Sequence, residues 1–400
     1  MRTVPGRSAL ALLALSSALP GRAAPPQGEM RGLWVVRTAL VSPQAVDQVV
    51  DDAGQAGFNA LFVQVRGRGD AFYKSRLAAR SSLLERQPRE FDPFARLLAR
   101  ARARRIQVHA WVNVLLAAHF GQPLPPGHVL EKHPEWAMVP KSVATAALVS
   151  SGARRLRLIM EAGRAEGDVE GYYLSPSIPA VASHLESVVR ELVRAYPVDG
   201  LHLDFVRYPG PSFDYSRSAL EGFRRVSGGN DLLGGPGRDP SAWDEYQRQV
   251  LTALVVRLSG AARAERSGIV LSAAVTPDEA QAVHHRFQDW PRWLSMGAIS
   301  ALCPMTYTPD NDLFRQQVEA ATGRARAGQP VWAGIGAYRL DVPGIVEKVV
   351  LARQAGAQGV VIFSHESLVP ADLRRLREEA FAPRAVGDAA RGGAFLAGSR

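Results

Sequence analysis

The sequence predicts an α/β protein, a (β/α)8 TIM barrel with long loops after strands 3 and 4. Two observations carry that expectation. Eight short β-rich runs recur along the chain, each followed by a helical pattern, and no dinucleotide-type glycine loop follows the first of them. Strand–helix alternation implies parallel strands covered by helices, and eight units over about 350 residues suit a closed barrel with insertions. An open doubly wound sheet would place G-x-G-x-x-G after the first strand, whereas Gly32 is followed by Leu33 and Trp34.

In chain order the β-rich runs lie near 31–36, 60–66, 106–113, 199–206, 269–276, 299–307, 331–336 and 359–364. Helical segments follow near 43–57, 92–105, 180–196, 242–264, 288–296, 312–327, 343–356 and 370–380. Ser42-Pro43 and Asp92-Pro93 read as an N-cap followed by a first-turn proline, and Gly57 and Gly356 as helix stops. The stretches 114–179 and 207–241 follow strands 3 and 4 and are expected to rise over the C-terminal face, where this fold places its active sites.

Residues 1–23 read as a secretory signal: Arg2 and Arg7, a short apolar run from Ala9 to Leu19, and small residues at Gly21 and Ala23 before a cut. That run is too short to span a bilayer. The barrel is expected over 24–383, and 384–400, rich in Gly, Ala and Arg without periodicity, is expected to be a flexible tail. The protein is accordingly expected to be exported, periplasmic or extracellular, with no stable membrane insertion.

Of the 400 residues, 46% are hydrophobic and 22% charged, which suits a folded chain and argues against disorder. The single cysteine, Cys303, excludes an internal disulfide and a Cys-rich zinc site. The net charge is +10, and all but Lys74, Lys132, Lys141 and Lys348 of the 48 basic residues are arginines. They are interleaved with acids rather than gathered in a patch, so no nucleic-acid partner is expected. A basic surface of this kind tolerates an anionic polymer.

Side chains two apart on a strand share a face. His109, Trp111 and Asn113 therefore align on strand 3, His202 and Asp204 on strand 4, Gln64 and Arg66 on strand 2, and Cys303, Met305 and Tyr307 on strand 6. The intervening apolar residues should meet the helices, which turns the polar sets toward the lumen. Polar groups from several strand ends, costly to bury unless bonded, are how this fold builds sites. Structural readings stand beside the functional ones: Asp204 in an ion pair with Arg207, His109 and His202 as satisfied core histidines, Trp111 as packing, Arg66 and Arg68 either holding a carboxylate or solvated.

No lysine ends a predicted strand, which disfavours Schiff-base chemistry. Strand 1 lacks a His-x-His pair, no G-x-S-x-G elbow is present, and Cys303 lacks an obvious histidine partner. No cofactor is expected and no resident metal, a centre on His202 and Asp204 being the competing chemistry. What remains is carboxylate chemistry among aromatics, including Trp34, Trp111, Tyr208, Tyr307 and Tyr338, whose faces suit sugar rings. Glycosidic cleavage needs an acid for the leaving oxygen and a second group to attack or to activate water. Asp204 is the first carboxylate; Asp70, Glu366 and Asp310 all stand at strand ends as its partner, and the sequence does not choose among them.

Five motifs occur in order: R-G-L-W (31–34), Q-V-R-G-R-G-D-A-F-Y (64–73), H-A-W-V-N (109–113), H-P-E-W (133–136) and D-G-L-H-L-D-F-V-R-Y-P (199–209). Over roughly 30–370 the chain resembles the glycosyl-hydrolase-like ten family of bacterial envelope proteins, which includes a division-site glycosidase that cuts peptidoglycan strands stripped of peptide stems. It is also similar to the hydrolase half of the periplasmic poly-N-acetylglucosamine deacetylase. The resemblance implies a (β/α)8 barrel that hydrolyses an N-acetylhexosamine-containing envelope polysaccharide, with peptidoglycan glycan strands as the expected substrate. It matches Asp204 to the strand-4 aspartate of the active site and Asp70, His109, Trp111 and Asn113 to pocket positions. Two departures stand out. Many relatives carry P-Q-x-Y-W at strand 6, where this chain has Pro304-Met305-Thr306-Tyr307. Against the chitinase D-G-x-D-x-D-x-E pattern, His202 and Val206 replace the second Asp and the Glu. The alternative to hydrolysis is a barrel that binds glycan without cutting it.

Overall fold

The computed structural model describes residues 28–228 and 231–381. The leader expected over 1–23 and the tail expected over 384–400 lie outside the described residues. Eight strands, β1 (Met30–Val35), β2 (Ala60–Arg66), β3 (Gln107–Asn113), β4 (Gly200–Asp204), β5 (Val270–Val275), β6 (Ala301–Pro304), β7 (Trp332–Gly336) and β8 (Gly359–Phe363), form one parallel sheet. Strand follows strand around the sheet, and β1 pairs with β8. The ring meets between β6 and β7 through the Leu302–Val331 bridge. This seam is thin because β6 is shorter than its sequence suggests, ending at Pro304, while Pro330 precedes β7. Neither proline has an N–H to add to the ladder.

The helices that cover the strands are α1 (Pro43–Ala56), α2 (Pro93–Ala103), α3 (Pro179–Ala195), α4 (Pro240–Glu265), α5 (Trp290–Ser295), α6 (Asn311–Arg324), α7 (Val342–Gln354) and α8 (Pro370–Arg375). Their ends carry the expected punctuation. The Ser42 and Asp92 side chains accept the Ala45 and Ala95 N–H groups, and Gly57 closes α1 at φ +82°. Among the described residues no helix is long and apolar enough to cross a membrane.

Alternation along the strands divides the apolar residues into two cores. Leu33, Val63, Val108, Leu201 and Leu203 face outward and pack against Val46, Leu97, Leu192 and Leu251 of the helices. Trp34, Phe62, Trp111, Cys303, Trp332 and Val361 fill the lumen. Each such side chain contributes about 1.5–3 kcal/mol on burial, so the lumen is a packed core with its free space at one end. In that core the His109 ring stacks on Phe62 at 4.5 Å and meets Trp332 edge-on at 5.6 Å. Gly200, in register with His109, leaves room for the ring: a Cβ there would lie 2.1 Å from His109 Nδ1.

The two long insertions rise from the C-terminal ends of β3 and β4. The first contains an antiparallel pair, Leu116–His119 with Gly171–Tyr173, and a helix as long as α1, Gly152–Ala165. The second contains the helix Arg217–Ser227, whose Phe223 packs with Tyr215 and Trp243 in a small separate core.

Candidate active site

At the C-terminal end of the barrel the lumen opens into a cleft of about 520 Å³. Its walls come from β1 and the turn after it (Trp34, Arg37, Thr38), from β2 and β3 (Gln64, Trp111, Asn113), and from β4 and its loop (Asp204, Phe205, Arg207). Gly67, Arg68, His119, Met305, Tyr307 and Phe363 complete it. A second cavity, about 410 Å³, lies at the opposite end among Met30, Asn59, Gln107 and Trp332. That is the face this fold uses for stability rather than chemistry.

The β3–β4 register places Asn113 beside Asp204 and Trp111 beside His202. From one level below, Trp111 Nε1–H donates to Asp204 Oδ2 at 3.0 Å and to Asn113 Oδ1 at 2.9 Å. The other carboxylate oxygen accepts the Phe205 N–H at 2.6 Å. Phe205 adopts φ +47° to make that bond, a left-handed conformation costing a non-glycine residue about 1–2 kcal/mol. The strain sits on the residue that orients the carboxyl group. Asn113 is fixed in turn: its Nδ2 donates to Gly67 O at 2.8 Å, and its Oδ1 accepts Gln64 Nε2 at 3.3 Å. Gln64 Oε1 accepts Arg37 Nη1 at 2.8 Å.

Burial pushes the Asp204 carboxyl up to about 6, against the Phe205 N–H, the Arg207 charge and the Trp111 N–H, which favour its ionised form. A second carboxyl group, Glu170, also raises it. Glu170 accepts Arg207 Nη2 and the Tyr173 hydroxyl, each at 2.6 Å. Burial would raise its own pKa, but Arg207 and these bonds overcome that effect and hold it below the usual carboxylate range. The ion pair read from sequence as Asp204–Arg207 is thus made by Arg207 and Glu170. The guanidinium lies 4.7 Å over the Phe205 ring, within charge reach of Asp204.

The aromatic wall is continuous. Trp34 meets Tyr307 at 6.2 Å and Phe363 at 6.0 Å, and Tyr307 stacks on Phe363 at 5.5 Å. Tyr338 lies against both at the rim, 56% exposed. Beneath the wall, His202 Nε2 accepts Trp34 Nε1–H at 3.2 Å. Because the indole only donates, the histidine proton sits on Nδ1 and is shared with Ser272 Oγ at 2.9 Å. Burial keeps His202 neutral, with both nitrogens engaged and neither free for an ion shared with Asp204.

Trp34, Gln64, Trp111, Asn113, Asp204, Arg207 and Tyr307 therefore come together in the cleft, with Tyr338 at its edge. The other predicted residues lie elsewhere. His109 is two levels below, buried without a hydrogen-bond partner, its pKa lowered to about 3 by burial. Arg66 does not share Gln64's face because a bulge interrupts β2 between them, and its guanidinium donates to the Asn113 and Val114 carbonyls. Tyr208 is buried against Phe287 at 5.2 Å. Asp70 accepts the Arg68 N–H at 3.0 Å within its own turn, outside the cleft lining. Glu366 is exposed and accepts the Thr38 hydroxyl at 3.0 Å. Asp310 caps α6 through the Leu313 N–H. Arg37, His119, Glu170 and Phe205 escaped the sequence reading, since each enters from a turn or insertion rather than from a strand's alternating face; Phe363 was also missed, although it ends β8 on the lumen face of Val361, where alternation points to it.

Eight parallel strands around a filled lumen, with a buried carboxyl group and aromatic walls at their C-terminal ends, define a barrel of the glycoside-hydrolase type. The fold resembles the glycoside hydrolase domain of PgaB (BpsB) from Bordetella bronchiseptica, with a TM-score of 0.66 and 16% identity over 88% of this chain and 99% of that one. The chain belongs to the glycosyl hydrolase-like 10 family, whose model matches residues 29–341. Among relatives, glycosyl hydrolase DigH of Escherichia coli O6:H1 is 25% identical over 330 residues, 77% of this chain and 69% of that protein. Glycosyl hydrolase YngK of Bacillus subtilis is 23% identical over 199 residues, 45% of this chain and 34% of that protein.

Proposed function

We propose that this protein is an exported glycoside hydrolase that cleaves an N-acetylhexosamine-containing envelope polysaccharide, with peptidoglycan glycan strands as its substrate. Asp204 carries the reading: a carboxyl group at the end of β4, pushed up to about 6, in a cleft walled by Trp34, Trp111, Tyr307 and Phe363. A protonated acid beside sugar-stacking rings is what departure of a glycosidic oxygen requires. Family membership and the leader-like residues 1–23 support the substrate class and export.

In this reading Asp204 donates its proton to the leaving oxygen, and Glu170, which stands behind Arg207 outside the cleft lining, is the carboxylate assigned to take the proton of the attacking water. The assignment follows from environment: burial keeps Asp204 protonated up to about pH 6, far above an ordinary aspartate, while Arg207 keeps Glu170 ionised. Asp70 and Glu366, by contrast, act electrostatically on Arg37. Glu170→Gln should lower kcat by about 10²–10⁴-fold, and azide should restore turnover in Glu170→Ala. Unchanged kcat in Glu170→Gln would remove it from the reaction.

The pH dependence follows with its sign. The acid must be protonated, so kcat/KM should fall about tenfold per unit above pH ~6 as Asp204 ionises. A flat profile from pH 6 to 8 would contradict the assignment. A non-catalytic glycan-binding barrel is the second reading, favoured by Asp204 being the one carboxylate lining the cleft among the described residues. Release of new reducing ends from purified glycan strands decides between them.

A further inference from the structure

One wall of the cleft is cationic. Arg37, Arg68 and His119 line it together with the Asp204 end. The partners of the two guanidinium groups are neutral amides: Arg37 Nη1 donates to Gln64 Oε1 at 2.8 Å, and Arg68 Nη1 donates to Gln122 Oε1. Among the described residues no carboxylate forms an ion pair with either. Asp70 acts on both, and Glu366 on Arg37, at longer range. Several arginines elsewhere do pair with acids, as Arg96 does with Asp47, Arg194 with Glu265 and Arg324 with Glu279. The two cleft arginines are half-buried, and the charge of Arg37 bears against Arg68. Both oppose a charge on His119, whose burial already favours the neutral ring. Like charges held together, partly desolvated and with acids only at longer range, are stabilised by a ligand that brings the opposite charge into contact. The backbone makes room for this arrangement: a Cβ at Gly67 would lie 2.7 Å from Arg37 Cδ.

We propose that Arg37 and Arg68 form a subsite for a carboxylate carried on a sugar of the bound glycan, with neutral His119 beside it. The inference rests on the reading above that the cleft binds a glycan, and it adds which side chains recognise a carboxylate on it. Planar guanidinium forks match a carboxylate through paired N–H···O bonds, which a neutral amide at the same place does not provide.

The test uses Asp204→Asn as a non-cleaving binder and calorimetry with two N-acetylhexosamine oligosaccharides. They differ in one substituent: a carboxylic acid ether in the first, its methylamide in the second. The acid should bind about tenfold or more tightly than the amide, as a charge-assisted contact implies. Adding Arg37→Gln or Arg68→Gln should collapse that gap by weakening the acid far more than the amide. Gly67→Ala, which displaces Arg37 without removing its charge, should narrow the gap, giving a readout if either Gln variant melts early. Equal binding of acid and amide by Asp204→Asn alone, or a gap that survives all three additional substitutions, would overturn the proposal. A sulfated analogue bound more tightly than the acid would overturn the carboxylate assignment. Hydrolysis is read separately on the wild type. Acid-selective binding without cleavage would count against the glycosidase and not against the subsite, and cleavage of both glycans at equal kcat/KM would do the reverse.

Discussion

Asp204→Asn should release essentially no new reducing ends, with kcat lowered about 10²–10⁴-fold, while melting no lower than the wild type at pH 7. The first effect follows because an amide has no proton to give the leaving oxygen. The second follows from linkage. The native-state pKa of Asp204 is raised to about 6, so the folded protein holds this proton more tightly than the unfolded chain does. Its favourable contribution is complete below the unfolded carboxylate value near pH ~4 and is lost as pH rises through about 6. At pH 7 the buried charge therefore costs on the order of 3 kcal/mol, which asparagine removes. That gain offsets the loss of one of the two bonds from Trp111 and Phe205, because the amide nitrogen cannot accept either. A large drop in melting temperature would show that the carboxylate is structural.

Gly200→Ala should be among the most damaging single-atom additions in the barrel. The added carbon would sit 2.1 Å from His109 Nδ1 and 2.6 Å from Cε1, inside a lumen packed by Phe62 and Trp332. The ring is wedged between these neighbours, so strand β4 or the ring itself must shift. Overpacking of this kind costs about 3 kcal/mol and would displace Asp204, two lumen levels above on the same strand. Denaturant unfolding measures the loss. His109→Ala in the same chain should recover much of it, a coupling of about 1–3 kcal/mol between residues in contact. Additive losses in the double variant would mean that the ring is not what the new methyl meets.

The barrel was legible because strand and helix periods differ and the caps are local: Ser42-Pro43, Asp92-Pro93 and Gly57 each act within a few residues. The lumen faces of β3 and β4 were legible for the same reason, and alternation alone brings Trp111, Asn113 and Asp204 together. Depth was not. Alternation gives His109 and Asn113 the same face but cannot say that one lies under Phe62 and the other at the mouth. A bulge at β2 rotates Arg66 away from Gln64, and nothing in the local pattern announces the extra residue. Glu170 reaches Arg207 because the chain returns through the Gly171–Tyr173 strand to pair with Leu116–His119, a long-range contact that spacing does not encode. Arg68, placed by sequence between carboxylate binding and solvation, lies in the cleft with Arg37, which arrives on the turn after β1.

The most direct measurement is mass spectrometry of purified, peptide-free glycan strands incubated with the wild-type protein in H₂¹⁸O. Cleavage by water activated opposite Asp204 predicts shorter strands, each new reducing end carrying one ¹⁸O. Strands that keep their length and mass, at enzyme concentrations that bind them fully, would contradict the account.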